Sequence, residues 1–263
     1  MQQIPLGRNG KTALEVAVQA AGEAGKQILQ SMPDIKNIKI KGRANFVSDL
    51  DTLSEKAIYQ IIRQNFPSWE IVSEESSPVR SGRDYAWIID PLDGSTNSLY
   101  GIPFIAINIA LVHDDSIMFG VTYDPLRDEM FTAEKGRGAF LNGRKCRLTG
   151  INSLEKALVC SDLGYDLQKG GETLEMLQRI FGKALCLRIL GSAALGMAYV
   201  ACGRIGMYFH KNVYPWDTAS GILLVTEAGG EVVNWEKRAA CYSDTQIVAS
   251  NAILNNLFLE IAQ

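Results

Sequence analysis

The 263-residue chain lacks the features that several common hydrolase classes require. It contains only two histidines, and neither stands in a zinc-ligand spacing, so a zinc hydrolase is not expected. The nucleophile elbow Gly-x-Ser-x-Gly is absent, which argues against a Ser–His–Asp hydrolase. Five cysteines are scattered without any Cys-x-x-Cys pair, a pattern typical of reduced thiols in a cytoplasmic protein rather than of a disulfide framework.

Long basic runs and long uninterrupted apolar runs are missing as well. The net charge is −3, from 26 basic and 29 acidic residues, and there is no long basic run, so nucleic acid is not an expected partner. The longest apolar stretch, residues 102–112, is interrupted by Pro103 and Asn108 and is too short to cross a bilayer. Neither a membrane span nor a signal peptide is therefore expected.

The most informative segment is Trp-Ile-Ile-Asp-Pro-Leu-Asp-Gly-Ser-Thr-Asn, residues 87–97. A strand that ends in this way delivers Asp90 at its carboxyl edge, and Pro91 is predicted to stop the strand because it has no N–H to donate. Gly94 permits a sharp turn, and the hydroxyl and amide side chains after it can cap a helix. Such a loop would hold the charges of Asp90 and Asp93 beside exposed N–H groups. This combination indicates metal-assisted phosphate chemistry.

Hydrophobic periodicity divides the chain near residues 145–155. Before that point it predicts helices over 12–31 and 52–66, the second opened by a capping box at 52–55, and short strands at 70–73, 85–89, 104–113, 116–123, 129–133 and 139–141. After it, strands at 157–161, 184–189, 207–209, 231–235 and 246–249 alternate with helices at 172–181, 192–201, 217–228 and from 252 onward. We therefore expect a largely antiparallel α+β part over 1–148, an α/β part over 149–263, and a site between them.

Further carboxylates stand at comparable strand ends and helix starts. Glu74 follows the apolar run at 70–73, Asp217 opens an apolar helix, and Asp51 precedes the second helix. Taken alone, Asp51 and Asp217 would be ordinary helix N-caps, and Asp93 with Gly94 an ordinary turn. Together these acids can supply the oxygen ligands of a site for two or three Mg²⁺ ions, which would offset the repulsion among the carboxylates.

Three segments resemble the signatures of inositol monophosphatase-like proteins, in the order that this family has them. They are Glu74-Glu75-Ser76, the run Asp-Pro-Leu-Asp-Gly-Ser-Thr-Asn at 90–97, and Trp-Asp-Thr-Ala-Ser-Gly at 216–221. Segments 45–51, 135–140 and 226–230 match further family patterns, so the resemblance spans nearly the whole chain. It implies a layered αβαβα sandwich of the type shared with fructose-1,6-bisphosphatases. It also implies a lithium-sensitive, Mg²⁺-dependent phosphatase that is commonly a homodimer.

The resemblance assigns metal ligands at the matching positions. The first Mg²⁺ would be bound by Glu74, Asp90 and the backbone carbonyl oxygen of Leu92. The second would be bound by Asp90, Asp93 and Asp217, and Glu74 would help to hold a third ion through water.

The resemblance also assigns the catalytic groups. The hydroxyl of Ser95, paired with Asp51, would orient the attacking water, and Glu74 would contribute through the metal site. A hydroxyl and a carboxylate beside a metal-bound water form a credible proton relay. The backbone N–H groups of Gly94 and Ser95, with Thr96 in the same loop, would hold the phosphate.

Substrate choice depends on the second half of the chain. Gly191 and Ser192 match positions where the family approaches the sugar or inositol ring, although Ser192 is equally well explained as a helix cap. His210 stands where inositol phosphatases usually carry an acidic residue, so it and Lys211 could instead contact a second phosphate, or no ligand at all. The basic segment 36–43 is either a solvated hairpin or a loop that closes over the site.

Inositol-1-phosphate is the leading substrate on these grounds. A fructose-1,6-bisphosphatase or dual-specificity enzyme is the alternative, and a phosphatase of adenosine bisphosphate or NADP ranks third. A catalytically silent binding protein would be expected to lose at least one of the five acids, and none is missing.

Overall fold

The computed structural model describes residues 4–42, 45–75, 80, 82 and 84–262. In this part of the chain the α-helices are α1 (Ala13–Ser31), α2 (Asp49–Asn65), α3 (Ser95–Leu99), α4 (Leu167–Ile180), α5 (Ala193–Ala201), α6 (Pro215–Glu227) and α7 (Ala252–Ala262). The strands are β1 (Lys39–Gly42), β2 (Asn45–Val47), β3 (Glu70–Ser73), β4 (Ala86–Asp93), β5 (Ala106–His113), β6 (Ser116–Asp124), β7 (Glu129–Glu134), β8 (Gly138–Leu141), β9 (Arg144–Lys145), β10 (Leu158–Ser161), β11 (Cys186–Ile189), β12 (Met207–His210), β13 (Glu231–Val233) and β14 (Ile247–Ser250). None of the helices in the described ranges is long and apolar enough to cross a membrane.

Seven strands form one sheet in the order β3-β4-β5-β6-β7-β8-β9. Only β3 and β4 are parallel, and the other neighbours are antiparallel. Helices α1 and α2 cover one face, where a buried cluster joins alanines of α1 to Trp87, Ile89 and Ile107 of the sheet. The buried residues of α1 recur at helical spacing, as its apolar residues do in the sequence, so the predicted helix is confirmed.

Five strands form a second sheet in the order β11-β10-β12-β14-β13. Helices α5 and α6 lie between the two sheets, in clusters that contain residues of both, and α4 and α7 pack on the outer face of the second sheet. The layers are therefore α1 and α2, the seven-stranded sheet, α5 and α6, the five-stranded sheet, and α4 and α7. The predicted αβαβα sandwich is confirmed.

The start of α2 differs from the prediction. The helix begins at Asp49, with Ser48 as N-cap and Asp51 as the reciprocal capping partner, and not at residue 52. Asp51 lies in the first helical turn, where it accepts hydrogen bonds from the backbone N–H and the hydroxyl of Ser48 at 2.7 and 2.8 Å. Two consecutive capping-box patterns occur here, at 48–51 and 52–55, and the upstream one is used.

The stop predicted at Pro91 is also wrong. Strand β4 continues to Asp93, and its pairing with β5 shifts register between Asp90 and Asp93, so Pro91 lies in a bulge where its missing N–H costs no ladder bond. Gly94, and not a hydroxyl side chain, occupies the N-cap of α3, with φ of 92°. The bulge turns the end of β4 out of the regular ladder at the two acids.

The change from one sheet to the other falls between β9, which ends at Lys145, and β10, which begins at Leu158. One buried cluster nevertheless includes Phe131 and Cys146 from the first part and, from the second, most of α5 and residues 222–225 of α6. The division into 1–148 and 149–263 therefore stays a prediction about two parts that share a core.

Candidate active site

A cleft of about 410 Å³ opens where β4, β10, β11 and β12 end and where α3, α5 and α6 begin. The predicted site residues that line it are Glu74, Asp90, Leu92, Asp93, Gly94, Ser95, Thr96, Gly191, Ser192, His210 and Asp217. Asp51 is buried beneath them and reaches the cleft through Ser95. The fold thus gathers the predicted residues from both halves of the chain.

Asp90 and Leu92 are positioned by the bulge of β4. The buried carboxylate of Asp90 accepts a hydrogen bond from the backbone N–H of Leu92 at 3.0 Å. The hydroxyl of Ser54 on α2 donates to the carbonyl oxygen of Pro91 at 2.5 Å. These contacts fix the end of β4 to α2.

Asp93 is held from the opposite side by α5. One of its carboxylate oxygens accepts hydrogen bonds from the Ser192 hydroxyl and the Ala194 backbone N–H, each at 2.7 Å. Ser192 is also the N-cap of α5, where its hydroxyl accepts from the N–H of Leu195 at 3.2 Å. Ser192 is thus a helix cap and a cleft residue at once.

Asp217 enters the cleft from the first turn of α6, which begins at Pro215 rather than at the predicted residue 217. Its carboxylate accepts a hydrogen bond from the backbone N–H of Tyr214 at 2.8 Å. Glu74 lies just after β3, where its backbone N–H donates to the carbonyl oxygen of Ile89 at 3.3 Å. The acids therefore come from four different segments of the chain.

The electrostatics of these acids favour a cation. Burial, and then the negative charges of Glu74, Asp93 and Asp217, raise the pKa of Asp90 well above its usual range. Burial, followed by the charges of Asp93 and Glu74, has the same effect on the pKa of Asp217, and burial raises the pKa of Asp93 to about 7. A divalent ion would favour the charged forms, and an all-oxygen donor set suits Mg²⁺.

The acids surround the cleft without meeting at a single point. Among the described residues, no three His, Cys, Asp or Glu side chains are grouped closely enough to hold an ion as they stand. The donor set fits Mg²⁺ in its chemistry, with water as the further ligand that this ion usually keeps. The assignment of particular ligands to particular ions stays a prediction.

The predicted pair of Ser95 and Asp51 is in contact. The Ser95 hydroxyl lies 2.6 Å from a carboxylate oxygen of Asp51 and 2.9 Å from the carbonyl oxygen of Leu92. The other carboxylate oxygen of Asp51 is engaged by Ser48. Capping α2 therefore orients Asp51 toward the hydroxyl in the cleft.

Asp162 is a buried cleft residue that the sequence reasoning missed. It accepts hydrogen bonds from the backbone N–H groups of Leu190 and Gly191 and, at 2.8 Å, from the hydroxyl of Tyr208. These donors partly offset burial, which raises the pKa of Asp162 to about 6. The only sequence signal was its place directly after a predicted strand, the same position that drew attention to Asp90.

Gly191 lies where a larger residue would not fit. Its φ is 80°, and a Cβ there would lie 2.9 Å from the side-chain nitrogen of Asn97. That nitrogen donates to the carbonyl oxygens of Phe104 and Leu190, both at 2.8 Å, and so joins the two halves of the chain beside the cleft. Gly191 therefore permits a close approach of backbone to the α3 loop.

The two residues at 210–211, for which the sequence left a phosphate contact or no ligand contact open, have different surroundings. His210 is buried, and burial lowers its pKa to about 4; its Nδ1 accepts the backbone N–H of Asn212 at 2.9 Å. Lys211 is absent from the cleft lining and instead contacts Glu172 at 3.0 Å and lies over the ring of Trp235. His210 thus lines the cleft as a neutral group.

The basic segment 36–43 forms part of a short hairpin in which β1 pairs with β2. Lys36 forms an ion pair with Asp34, and none of the described residues of this segment lines the cleft. Arg43 lies outside the described residues. Closure of this segment over the site stays a prediction.

Comparison with known proteins decides the family. The profile described as the inositol monophosphatase family matches residues 10–263. The chain belongs to this family. Membership confirms the resemblance seen in the motifs and places the protein in an enzyme class, the phosphoric monoester hydrolases.

Individual family members are similar over nearly their whole length. Inositol monophosphatase 2 of Solanum lycopersicum is 37% identical over 254 residues, covering 94% of this chain and 96% of its own. Nus factor SuhB of Pseudomonas aeruginosa is 36% identical over 246 residues, covering 90% and 91%. The crystal structure of extragenic suppressor protein suhB from Bartonella henselae is 36% identical with a TM-score of 0.89, covering 95% and 97%.

Proposed function

We propose that the chain is a Mg²⁺-dependent phosphomonoesterase that hydrolyses a small polyol or sugar phosphate, with inositol-1-phosphate as the first candidate. The observation that carries this proposal is the convergence of Glu74, Asp90, Asp93 and Asp217 on one cleft beside the contact between Ser95 and Asp51. Acidic side chains at this density are compatible with a phosphate ester only if cations neutralise them.

The proposed roles follow from the contacts. Glu74, Asp90, Asp93, Asp217 and the carbonyl oxygen of Leu92 would hold two or three Mg²⁺ ions. When bound, such ions clamp the phosphate and lower the pKa of water. Asp51 holds the Ser95 hydroxyl at 2.6 Å, so that this hydroxyl can orient a water and pass its proton to the carboxylate. Gly94 and Thr96 would complete the phosphate-binding loop.

Solved structures of the same fold support the choice of ligands. An IMPase/NADP phosphatase with a TM-score of 0.82 and 22% identity is described as complexed with Mg²⁺ and phosphate. A dual-specific IMPase/NADP phosphatase with a TM-score of 0.82 and 21% identity is described as bound to D-inositol-1-phosphate. Those ligands belong to those two proteins, and at 22% and 21% identity the two proteins share only the fold with the present chain.

The bisphosphate alternative has less support than the sequence suggested. His210 is neutral and Lys211 is engaged outside the cleft, so neither provides a positive charge for a second phosphate. The second candidate is a catalytically silent binding protein of the same fold, since one relative is named Nus factor SuhB and not as a phosphatase.

The decisive experiment measures phosphate release from inositol-1-phosphate with and without Mg²⁺. In the Asp93→Asn variant we expect release to fall at least about 100-fold, because a ligand charge is lost. The control is Asp124→Asn, since Asp124 is also an acid at the end of a strand of the same sheet but is buried in a pair with Arg127 and does not line the cleft. Phosphate release that needs no divalent ion, or that survives Asp93→Asn, would contradict the proposed metal site, whereas no release from any ester would favour the binding role.

A further inference from the structure

The part of the cleft away from the acids carries no positive charge. Its lining comes from the ends of β10, β11 and β12 and from the start of α6, and among the described residues it contains no Lys or Arg. His210 is neutral there, and the oxygens of Asp162 are occupied by its three donors. A second phosphate on the substrate would enter this part without a counter-charge, which is strongly unfavourable in a partly buried site.

An aromatic platform lies in the same part of the cleft. Tyr214 lines the cleft and is 46% exposed, while its ring stacks on Trp216 with 5.1 Å between ring centroids and 9° between the planes. Trp216 is itself buried against Ile88 and Ala110 of the seven-stranded sheet. One face of Tyr214 is therefore braced by a fixed ring, and the remaining exposure leaves an aromatic surface available to a ligand.

The platform is tied to the acidic part through the backbone. The N–H of Tyr214 donates to the carboxylate of Asp217, which lies three residues further along the chain. The ring therefore lies within one helical turn of a residue that would hold a metal ion and, through that ion, the phosphate. A leaving group attached to that phosphate would lie within reach of the ring.

We propose that Tyr214 is a specificity-determining residue whose open ring face packs against the leaving group, so that this residue favours uncharged ring leaving groups over acyclic ones. This inference rests on the proposed phosphatase function and names its substrate class. Both the C–H face of a cyclitol or sugar and the π face of a nucleoside base can pack on an aromatic ring. Both kinds of leaving group meet the same requirement, which is a ring that carries no charge besides the phosphate to be removed.

The test compares kcat/KM at saturating Mg²⁺ for four esters. Inositol-1-phosphate and 2′-AMP provide the two kinds of ring, glycerol 2-phosphate provides an acyclic alcohol, and inositol-1,4-bisphosphate adds a second phosphate to a ring. The variants are Tyr214→Ala, Tyr214→Leu and Tyr214→Phe. Tyr100→Ala serves as the control, because Tyr100 is 74% exposed and lies outside the cleft lining.

In Tyr214→Ala we expect the ratio of ring to acyclic kcat/KM to fall roughly tenfold for at least one ring ester, mainly through KM. Tyr214→Phe should keep the ratio, and Tyr214→Leu should retain part of it. In the wild type, the bisphosphate should be hydrolysed more slowly than inositol-1-phosphate. The ring ester whose kcat/KM falls more in Tyr214→Ala shows whether Tyr214 packs against a cyclitol or sugar ring or against a nucleoside base.

Three results would overturn the inference. They are an unchanged ratio in Tyr214→Ala and Tyr214→Leu, bisphosphate turnover equal to that of the monophosphate, or a raised Mg²⁺ concentration for half-activation in Tyr214→Ala. The last would mean that Tyr214 acts through Asp217. Failure of the wild type to hydrolyse any ester would instead remove the proposed function, and this inference with it, so the two failures are distinguishable.

Discussion

Asp51 has two roles that substitutions can separate. One carboxylate oxygen accepts the backbone N–H and hydroxyl of Ser48 at the start of α2, and the other accepts the Ser95 hydroxyl in the cleft. Removing the Ser95 hydroxyl leaves the cap intact, whereas removing the Ser48 hydroxyl leaves the contact between Asp51 and Ser95 intact. Activity and stability should therefore respond to different variants.

The magnitudes differ enough to be resolved. We expect Ser95→Ala to lower kcat by about 10² to 10⁴, the usual contribution of a proton-transfer group, with little change in Tm. Ser48→Ala should cost about 1 kcal/mol, which lowers Tm by roughly 2–4 °C in a chain of this size, and should leave kcat unchanged. Asp51→Asn should lower kcat, because the amide cannot take up the proton, and should also weaken either the cap or the contact with Ser95, because only one accepting oxygen remains.

The assay combines Mg²⁺-dependent phosphate release with thermal unfolding of the single variants and of the double variant Asp51→Asn/Ser95→Ala. If the two residues act as one unit, the double variant should be hardly slower than the worse single variant. Two outcomes would refute this reasoning: a Ser95→Ala enzyme within about threefold of the wild type, or additive losses in the double variant. In the first case the hydroxyl, which also lies near Leu92, would be structural only.

Two other changes have defined outcomes. The folded-state pKa of His210, about 4, lies below its unfolded value of 6.5, so the unfolded chain binds the proton first and stability is lost as pH falls from about 6.5 toward 4. Asp93 and Asp162 have raised pKa values and change stability in the opposite sense over the same range, so the test is the difference between the wild type and His210→Gln. Between pH 7.5 and 4.5 the wild type should lose on the order of 1–3 kcal/mol relative to the variant in denaturant unfolding, and the same pH dependence in both would contradict the assignment. Gly191→Ala should lower both Tm and kcat, because its Cβ would displace Asn97 at a backbone φ of 80°, whereas Gly171→Ala on α4, with open space at its Cβ, should not; an unchanged Gly191→Ala enzyme would show that this close approach is not needed.

Most of the acidic part of the site could be predicted from the sequence because its information is local. Asp90 and Asp93 lie on one strand end, and Glu74 and Asp217 lie at the boundaries of a strand and a helix that hydrophobic periodicity reveals. The start of α2 was missed since two capping boxes follow one another at 48–51 and 52–55, and the upstream one has tertiary contacts such as that of Asp51 with Ser95. Periodicity cannot show which of two locally equivalent caps has a distant partner.

The uncharged part of the site was harder to predict for a related reason. The charge of His210 depends on burial, which lowers its pKa, and the direction of Lys211 depends on Glu172, which is 39 residues away in the chain. Asp162 looks like any acid after a strand until Gly191 and Tyr208 are placed around it. Residue type and spacing therefore predict which side chains could be metal ligands more readily than they predict the burial and the charges around those side chains.

The contact between Asp93 and α5 links the docking of the two halves to the chemistry proposed here. Asp93 lies at the end of β4 in the first part, yet the donors that orient its carboxylate are Ser192 and Ala194 at the start of α5. Asn97 adds a second link, from α3 to the carbonyl oxygen of Leu190. A change that loosens α5 against β4 would thus misplace a metal ligand before either sheet unfolds, because a charge-assisted pair of hydrogen bonds is lost first. Activity should therefore be more sensitive than global stability to substitutions along this junction.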